Sequence, residues 1–147
     1  MWFLNTATAE LHGYLCPVDV LPDGGYAILS HVWSKDPEPK EQSFAEVQEI
    51  VNRCKVEGTN PRDHVSEKIR RSCEIAEADG YKWIWNDTCC IDKSSSSELS
   101  EAINSMYRYY ALAEVCYAYL ADVPSLEVED PWAAHSAFRK SRWHKRG

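Results

Sequence analysis

The run Tyr26-Ala27-Ile28-Leu29-Ser30, followed at once by His31-Val32-Trp33, decides the fold class of this chain. It carries no charge and comes directly after the turn signal Asp23-Gly24-Gly25. A compact apolar run of this kind is typical of a buried β-strand. We therefore predict a central strand at 26–30 that places three polar or aromatic residues at its carboxyl end: Ser30, His31 and Trp33.

Helical periods and two further strand-like runs extend from that strand along the chain. Ser43 and Glu46 have the spacing of a capping box and mark the start of the first helix. The predicted elements are an edge strand at 1–6, the strand at 26–30, helices at 43–54 and 65–79, a strand at 83–91, a helix from the serine run 94–97 to about 112, and a core strand at 115–120. The last helix is predicted to pack through Leu99, Ile103, Met106, Tyr110 and Ala113.

Strands that alternate with helices are typical of an α/β domain with a mainly parallel sheet. Right-handed crossovers bring the carboxyl ends of all parallel strands to one edge. Ligands of such sheets bind outside that edge. We therefore expect a site there that draws on the residues following each core strand: Ser30, His31, Trp33, Asp87, Asp92, the serine loop and Asp122.

Composition and charge limit the function classes. The chain has 147 residues, 44% hydrophobic and 27% charged, which fits one globular domain. No apolar run approaches the roughly 20 residues of a membrane span, and residues 1–6 do not resemble a signal peptide. We therefore expect a cytoplasmic domain without a membrane partner. A net charge of −7 argues against non-specific nucleic-acid binding.

The charge is unevenly distributed. Residues 138–147 hold five of the 16 lysines and arginines and no acidic residue. A basic tail on an acidic body can be an interaction segment, but a short surface stretch of a longer domain is the simpler interpretation.

Six cysteines are present, and none forms a C-x-x-C pair. Without a signal peptide we expect reduced thiols in a reducing compartment. The spacing of cysteines and histidines is not that of a zinc site, so we expect no metal. A cysteine nucleophile at Cys89 or Cys90, paired with a histidine, is a minor alternative.

Glu98 is the first candidate for chemistry, because it lies in the first turn of a helix that follows the carboxyl end of a strand. A carboxylate there can stabilise a cationic transition state, as in transfer from a sugar C1. Ser95-x-x-Glu98 is also a capping-box pattern, which gives Glu98 a structural role instead. Glu101, one turn further on, is the alternative carboxylate.

The other candidates are binding residues. Ser30, His31 and Trp33 combine a hydroxyl, an imidazole and a large aromatic face, and Trp33 can stack on a nicotinamide or adenine ring or simply cover the core. Asp87 and Asp92 can orient a ribose hydroxyl or shape the loop. No G-x-G-x-x-G or Walker A sequence is present.

The same blocks resemble the fungal heterokaryon-incompatibility (HET) domain. They are residues 26–33, Trp83 through Lys93, Glu98 through Tyr107, the opening Leu4-Asn5-Thr6, and Phe138-Arg139-x-Ser141-Arg142-Trp143-x-x-Arg146-Gly147. The resemblance covers nearly the whole chain and implies a single HET domain at 1–147. In that family the closing block continues into a Trp-Thr-Leu-Gln-Glu segment, so we expect the chain to be truncated just before the last conserved block, or to be a short member.

The resemblance implies a role in fungal self/non-self recognition and programmed cell death, alone or with larger receptor-like proteins. HET domains are also similar to Toll/interleukin-1 receptor (TIR) domains, which have a flavodoxin-like, three-layer α/β fold. Some TIR domains cleave NAD at the nicotinamide–ribose bond, in sites assembled between protomers. By that analogy Glu98 matches the catalytic glutamate, and residues 28–31 match the box that ends the first TIR strand.

Two hypotheses follow. The first is a self-associating NAD glycohydrolase, in which NAD is substrate and no cofactor is needed. The second is a non-enzymatic signalling module that self-associates or recruits partners through the aromatic and basic residues 138–147.

Overall fold

The computed structural model describes residues 1–33, 41–124 and 130–145. The strands are β1 (Trp2–Asn5), β2 (Leu11–Gly13), β3 (Ala27–His31), β4 (Trp83–Trp85) and β5 (Val115–Tyr119). The helices are α1 (Phe44–Glu57), α2 (Glu67–Ala78), α3 (Ser96–Leu112) and α4 (Ala137–Lys140), with 3-10 turns at Pro17–Asp23, Pro61–Asp63 and Arg142–Lys145. Residues 34–40, 125–129 and the two last residues of the closing block, Arg146 and Gly147, lie outside the described residues.

The five strands form one mixed sheet in the order β2-β1-β4-β3-β5. β3 pairs in parallel with β4 and β5, whereas β1 pairs antiparallel with β2 and β4. The α/β class is therefore confirmed, and the sheet is mixed where we had expected a mainly parallel one. The flavodoxin-like, three-layer arrangement stays a prediction. The short connection between β1 and β2 requires that pair to be antiparallel, because parallel neighbours need a long crossover. β1 also pairs with β4 on its other side and so lies inside the sheet, and β2 forms the edge that we had predicted for residues 1–6.

The core lies around the two central strands. All residues of β3 and β4 are buried. α2 packs with Ile69, Cys73 and Ala76 inside, and the hydroxyl of Tyr26 donates a hydrogen bond to the carbonyl oxygen of Tyr109 on α3. The pairing of β3 with β4 thus fixes the edge on which the functional candidates lie.

α1 begins as its sequence predicts. Ser43 accepts a hydrogen bond from the Glu46 N–H, and the Glu46 carboxylate accepts from the Ser43 N–H, which closes the capping box. The helix ends at Gly58, whose φ of 70° is in the left-handed region that glycine adopts without strain.

β4 is shorter than the predicted strand at 83–91, because the chain turns directly after Trp85. The Asn86 carbonyl accepts from the N–H groups of Cys89 and Cys90, and the Asn86 side chain accepts from the Thr88 N–H at 3.1 Å. An Asn side chain that bonds the backbone two residues on stabilises a turn and competes with a strand. The turn leaves the whole segment 83–91 buried.

The last two predicted elements are right in position and only partly right in burial. Of the predicted inner stripe of α3, Leu99, Met106, Tyr110 and Ala113 are half-buried against the core and Ile103 is 61% exposed. The helix buries Ala102 and Tyr109 fully. β5 is an edge strand whose residues are half-buried or exposed, where we had predicted a core strand. Within the described ranges no helix has the length and apolar character needed to cross a membrane.

Candidate functional site

The parallel pairing of β3 and β4 brings three of the predicted residues together with Thr88 at one edge. His31 ends β3 and is 2% exposed. Its Nε2 lies 3.0 Å from Thr88 Oγ1 and 3.4 Å from Asp87 Oδ1, both in the turn after β4. The indole N–H of Trp33 donates to both carboxylate oxygens of Asp87 at 3.2 Å. We call these four residues, His31, Trp33, Asp87 and Thr88, the polar network.

The outer side of the polar network is open. The Trp33 side chain is 52% exposed, and the Lys93 Nζ lies 4.1 Å from the centroid of its ring. A pocket of about 210 Å³ is lined here by Trp33, Glu41, Ser43, Thr88 and Lys93. The predicted stacking platform is therefore accessible, and the ammonium group of Lys93 occupies one of its faces.

Ser30 is placed differently. It is 8% exposed, and its carbonyl oxygen accepts a hydrogen bond of 3.3 Å from the indole N–H of Trp143. The segment that carries Trp143 is held by Asp122, whose carboxylate accepts from Ser141 Oγ at 2.7 Å and from the Arg142 N–H at 2.8 Å. These two bonds hold the pKa of Asp122 below its usual value. The C-terminal segment thus covers the carboxyl end of β3 beside the polar network.

Glu98 lies at the start of α3, as predicted, and half of the capping box forms. Its N–H donates to Ser95 Oγ at 3.3 Å. Its carboxylate accepts at 3.1 Å from the N–H of Asp92 rather than from that of Ser95. The Glu98 side chain therefore ties the loop 92–95 to the helix.

Glu98 and Glu101 line one narrow cleft, which we call the carboxylate cleft; its other lining residues are Met1, Trp85, Cys90, Ile91, Ala102 and Tyr109. Its volume of about 10 Å³ holds one water molecule and no sugar ring. Trp33 and Glu98 thus line separate pockets, and the structure does not place the predicted carboxylate on the predicted stacking platform.

Asp92 shapes the loop between β4 and α3. Its carboxylate accepts from the Ser94 N–H at 3.0 Å and from Ser94 Oγ at 2.6 Å. Together these bonds lower the pKa of Asp92. The geometry favours the turn-forming interpretation of Asp92 over contact with a ribose hydroxyl.

The buried cysteines are poorly suited to catalysis. Cys89 and Cys90 are 0% and 2% exposed. A hydrogen bond with Cys90 and full burial raise the pKa of the Cys89 thiol well above its usual value, and the thiolate is the nucleophilic form. In the part of the chain that the structure describes, no group of three or more His, Cys, Asp or Glu side chains could hold a metal ion.

Sequence reasoning missed Thr88 and Lys93. Thr88 directly follows Asp87 in a turn that had been assigned to a strand, so its hydroxyl was placed on the wrong element. Lys93 had been noted only as the last residue of a block that resembles the HET domain. The signal that could have found both is Asn86, because an Asn after a short aromatic run favours a turn and would have brought the next residues back over the sheet edge.

The fold and the site define an α/β domain with polar groups gathered at the carboxyl edge of its central strands. Residues 26–144 match the family described as Heterokaryon incompatibility protein (HET). The chain is 44% identical over 141 residues to "Vegetative incompatibility protein HET-E-1" of Podospora anserina, which covers 92% of this chain. It therefore belongs to the HET family, and it spans about 10% of the length of that relative. No solved structure matches it. The expected resemblance to the HET domain is thus confirmed.

Proposed function

We propose that this HET domain is a cytoplasmic effector of fungal allorecognition that triggers cell death by cleaving NAD at the nicotinamide–ribose bond. The observation that carries the chemistry is the pairing of Glu98 and Glu101 in one cleft at the start of α3. Breaking that bond leaves positive charge on the ribose, and a carboxylate in a sheltered cleft stabilises such a charge.

Within this proposal the two pockets of the sheet edge have different tasks. Glu98, with Glu101 beside it, stabilises the ribosyl cation as neutral nicotinamide leaves with the electrons of the broken bond. A water molecule then bonds to the ribose C1 and releases a proton, which gives ADP-ribose. Trp33 holds the nicotinamide or adenine ring, and the polar network keeps Trp33 in place through the carboxylate of Asp87. Ser30 and His31 form the buried wall behind it.

The carboxylate cleft must open before a substrate enters, because its volume of about 10 Å³ is far below that of a ribose. Assembly of several copies is the step that we propose opens it, so a dilute monomer is inactive. The relative is a much longer protein, and we propose that the domain works with receptor-like regions or proteins that bring copies together.

The test is nicotinamide release from NAD by the domain fused to an oligomeric scaffold. We expect release by the wild type and none by Glu98→Gln, since the amide keeps the bond to Asp92 and removes only the charge. Glu49→Gln, an exposed change on α1, is the matched control and should release nicotinamide as the wild type does. Full turnover by both Glu98→Gln and Glu101→Gln would overturn the mechanism.

A second function, a non-enzymatic module that recruits partners, is favoured by the surface of the C-terminal segment. Trp132 is 72% exposed, and its ring lies 5.6 Å from that of Phe138, which in turn lies 5.0 Å from the ring of His144. The same segment carries four exposed basic residues: Arg139, Lys140, Arg142 and Lys145. Such a patch is typical of an interaction surface.

The two functions are separated by removing residues 138–147. If the domain is a non-enzymatic module, the deletion variant loses association and keeps its fold. The scaffolded wild type then releases no nicotinamide. Retained association after the deletion would contradict it. Circular dichroism before and after the deletion reports the fold.

A further inference from the structure

The loop between β4 and α3 carries a lysine that the proposed mechanism does not use. On one side of Lys93 the N–H of Asp92 donates to the Glu98 carboxylate at 3.1 Å, and on the other the N–H of Ser94 donates to the Asp92 carboxylate at 3.0 Å. The Lys93 side chain extends from this tied loop to Trp33, with Nζ 4.1 Å from the ring centroid. Lys93 is therefore a positioned cation, with less rotamer freedom than an isolated surface lysine.

The positive charge of Lys93 is not balanced by a carboxylate. In the part of the chain that the structure describes, its contact is the Trp33 ring, and it forms no ion pair. The nearby acids are engaged by other groups. Glu41, which lines the same pocket, forms an ion pair with Lys68, and Asp87 accepts the indole N–H of Trp33 on both oxygens. The pocket thus retains the charge of Lys93 for a ligand.

The pocket beside Lys93 has the size and lining of a subsite for one end of a ligand. Its volume of about 210 Å³ is below the roughly 300 Å³ at which pockets for whole small-molecule ligands begin. The hydroxyl-bearing side chains Ser43 and Thr88 line it together with Lys93. Trp33, 52% exposed, adds an aromatic surface that continues out of the pocket. An anionic group inside and a planar ring outside would therefore belong to one ligand.

A nucleotide combines the two features that this pocket accepts. Its phosphate oxygens accept charge-assisted hydrogen bonds from an ammonium group, and its base stacks on an exposed aromatic ring. Only the ribose separates the two, so one nucleotide reaches both Lys93 and Trp33. A ligand with a cationic ring is disfavoured, because the Lys93 ammonium already lies over the Trp33 ring and repels a second positive charge there.

We propose that Lys93 and Trp33 form a nucleotide subsite, in which the ammonium group binds a phosphate and the indole stacks on an uncharged base. This proposal rests on the proposed function and orients its substrate. The adenosine phosphate half of NAD lies at Trp33, and the half with the cationic nicotinamide lies at Glu98. The loop 92–95 connects the two halves, because the Asp92 N–H that precedes Lys93 donates to the Glu98 carboxylate.

The first test is an NMR titration with adenosine monophosphate (AMP), which contains no nicotinamide and is not cleaved. The resonance of the Trp33 indole N–H, a group that donates to Asp87, reports binding and is assigned with Trp33→Phe. We expect AMP to bind more tightly than adenosine or inorganic phosphate, since each of these has only one of the two contacts. The absence of AMP binding would overturn the subsite. Adenosine that binds as tightly as AMP would overturn the role of Lys93, and phosphate that does so would overturn that of Trp33.

The second test changes Lys93. Lys93→Met is expected to weaken AMP binding about three- to fivefold, the value of one exposed charge pair, and to leave adenosine binding unchanged. Lys93→Arg keeps the charge and should bind AMP much as the wild type does. Lys55→Met, an exposed change on α1, is the matched control. An AMP affinity that is the same in Lys93→Met and the wild type would overturn the phosphate contact.

The third test concerns the orientation of the substrate. AMP and nicotinamide mononucleotide are the two halves of NAD, and both carry a ribose phosphate. They differ in the ring, which is uncharged in AMP and cationic in nicotinamide mononucleotide. We expect AMP to cause the larger shift of the Trp33 resonance at equal concentration and to bind more tightly. Tighter or equal binding of nicotinamide mononucleotide would overturn the proposed orientation.

The subsite and the chemistry fail separately. On the scaffold, Lys93→Met is expected to raise the KM for NAD and to leave kcat unchanged. Nicotinamide release with a wild-type KM in Lys93→Met would overturn the subsite and leave the chemistry standing. AMP binding that depends on Lys93, from a scaffolded domain that releases no nicotinamide, would overturn the chemistry and leave the nucleotide subsite standing.

Discussion

The polar network and the carboxylate cleft lie at the same edge of one sheet, yet the structure holds their acids differently. Asp87 is 7% exposed and receives the indole N–H of Trp33 on both oxygens. Glu98 is half-buried and accepts a backbone N–H, and Glu101 beside it is exposed. A buried carboxylate whose oxygens both accept hydrogen bonds holds its neighbouring side chains in position. A carboxylate at the opening of a cleft can contact a ligand. The contacts of Asp87 favour a positioning role for it, and our proposal places the chemistry at Glu98 and Glu101.

The largest expected effect on stability comes from breaking the polar network. His31→Leu keeps the approximate side-chain volume and removes the partner of Thr88 and Asp87. We expect the free energy of unfolding to fall by about 1–3 kcal/mol, the cost of leaving buried polar atoms unpaired. Urea denaturation followed by tryptophan fluorescence measures it.

A double-mutant cycle controls for the change of shape at His31. Thr88→Val removes the hydroxyl that lies 3.0 Å from His31 Nε2. The free energy of unfolding of the double variant should fall by less than the sum of the two single decreases. Each single change leaves the partner side chain unpaired, whereas the double variant removes both partners. Strict additivity would show that the two side chains do not act as a unit.

The carboxylate cleft should respond more weakly. Glu98→Ala removes the acceptor for the Asp92 N–H, and we expect a loss of about 1 kcal/mol, as for other helix-start contacts. Glu98→Gln should lose less, because its amide oxygen accepts the same bond. Both are measured by urea denaturation, with Glu101→Ala as the neighbouring control expected to stay within about 0.5 kcal/mol of the wild type. A loss for Glu98→Ala as large as that for His31→Leu would erase the difference between the two regions.

The contact of Lys93 with the Trp33 ring is the next test, and it lies on the exposed side of the polar network. Lys93→Met keeps the length of the side chain and removes the charge over the Trp33 ring. We expect a loss of about 0.5–1 kcal/mol or less, the value of an exposed cation–π contact. The thermal midpoint measures it, and Lys55→Met, an exposed change on α1, is the control. If Lys93→Met loses over about 1 kcal/mol more stability than Lys55→Met does, Lys93 has a structural role beyond the cation–π contact.

The sequence predicts most of the elements, because hydrophobic period and capping residues are local signals, and it places His31, Trp33 and Asp87 at one edge of the sheet. Ser43 with Glu46, and Gly58 after α1, illustrate this. What it does not predict depends on partners distant in the chain. The antiparallel pairing of β1 with β4, the exposure of β5, and the covering of Ser30 by Trp143 each join residues far apart. The same limit explains why Trp33 and Glu98 were expected in one pocket and lie in two.

The smallest expected effect concerns the C-terminal segment beside the polar network. Bonds from the Arg142 N–H and Ser141 lower the pKa of Asp122. A carboxyl group with a lowered pKa in the folded state contributes its stabilisation above its ordinary pKa, and that contribution is lost as pH falls through the lowered value. The segment should therefore detach on acidification while the sheet stays folded. The NMR resonance of the Trp143 indole N–H, a group that donates to the Ser30 carbonyl, reports this detachment directly.

Asp122→Asn weakens the bonds that hold the segment at every pH and should remove the acid transition of that resonance. Asp63→Asn, an exposed change in the turn before α2, should leave the acid transition in place. A transition that survives in Asp122→Asn would mean that another group holds the segment over β3.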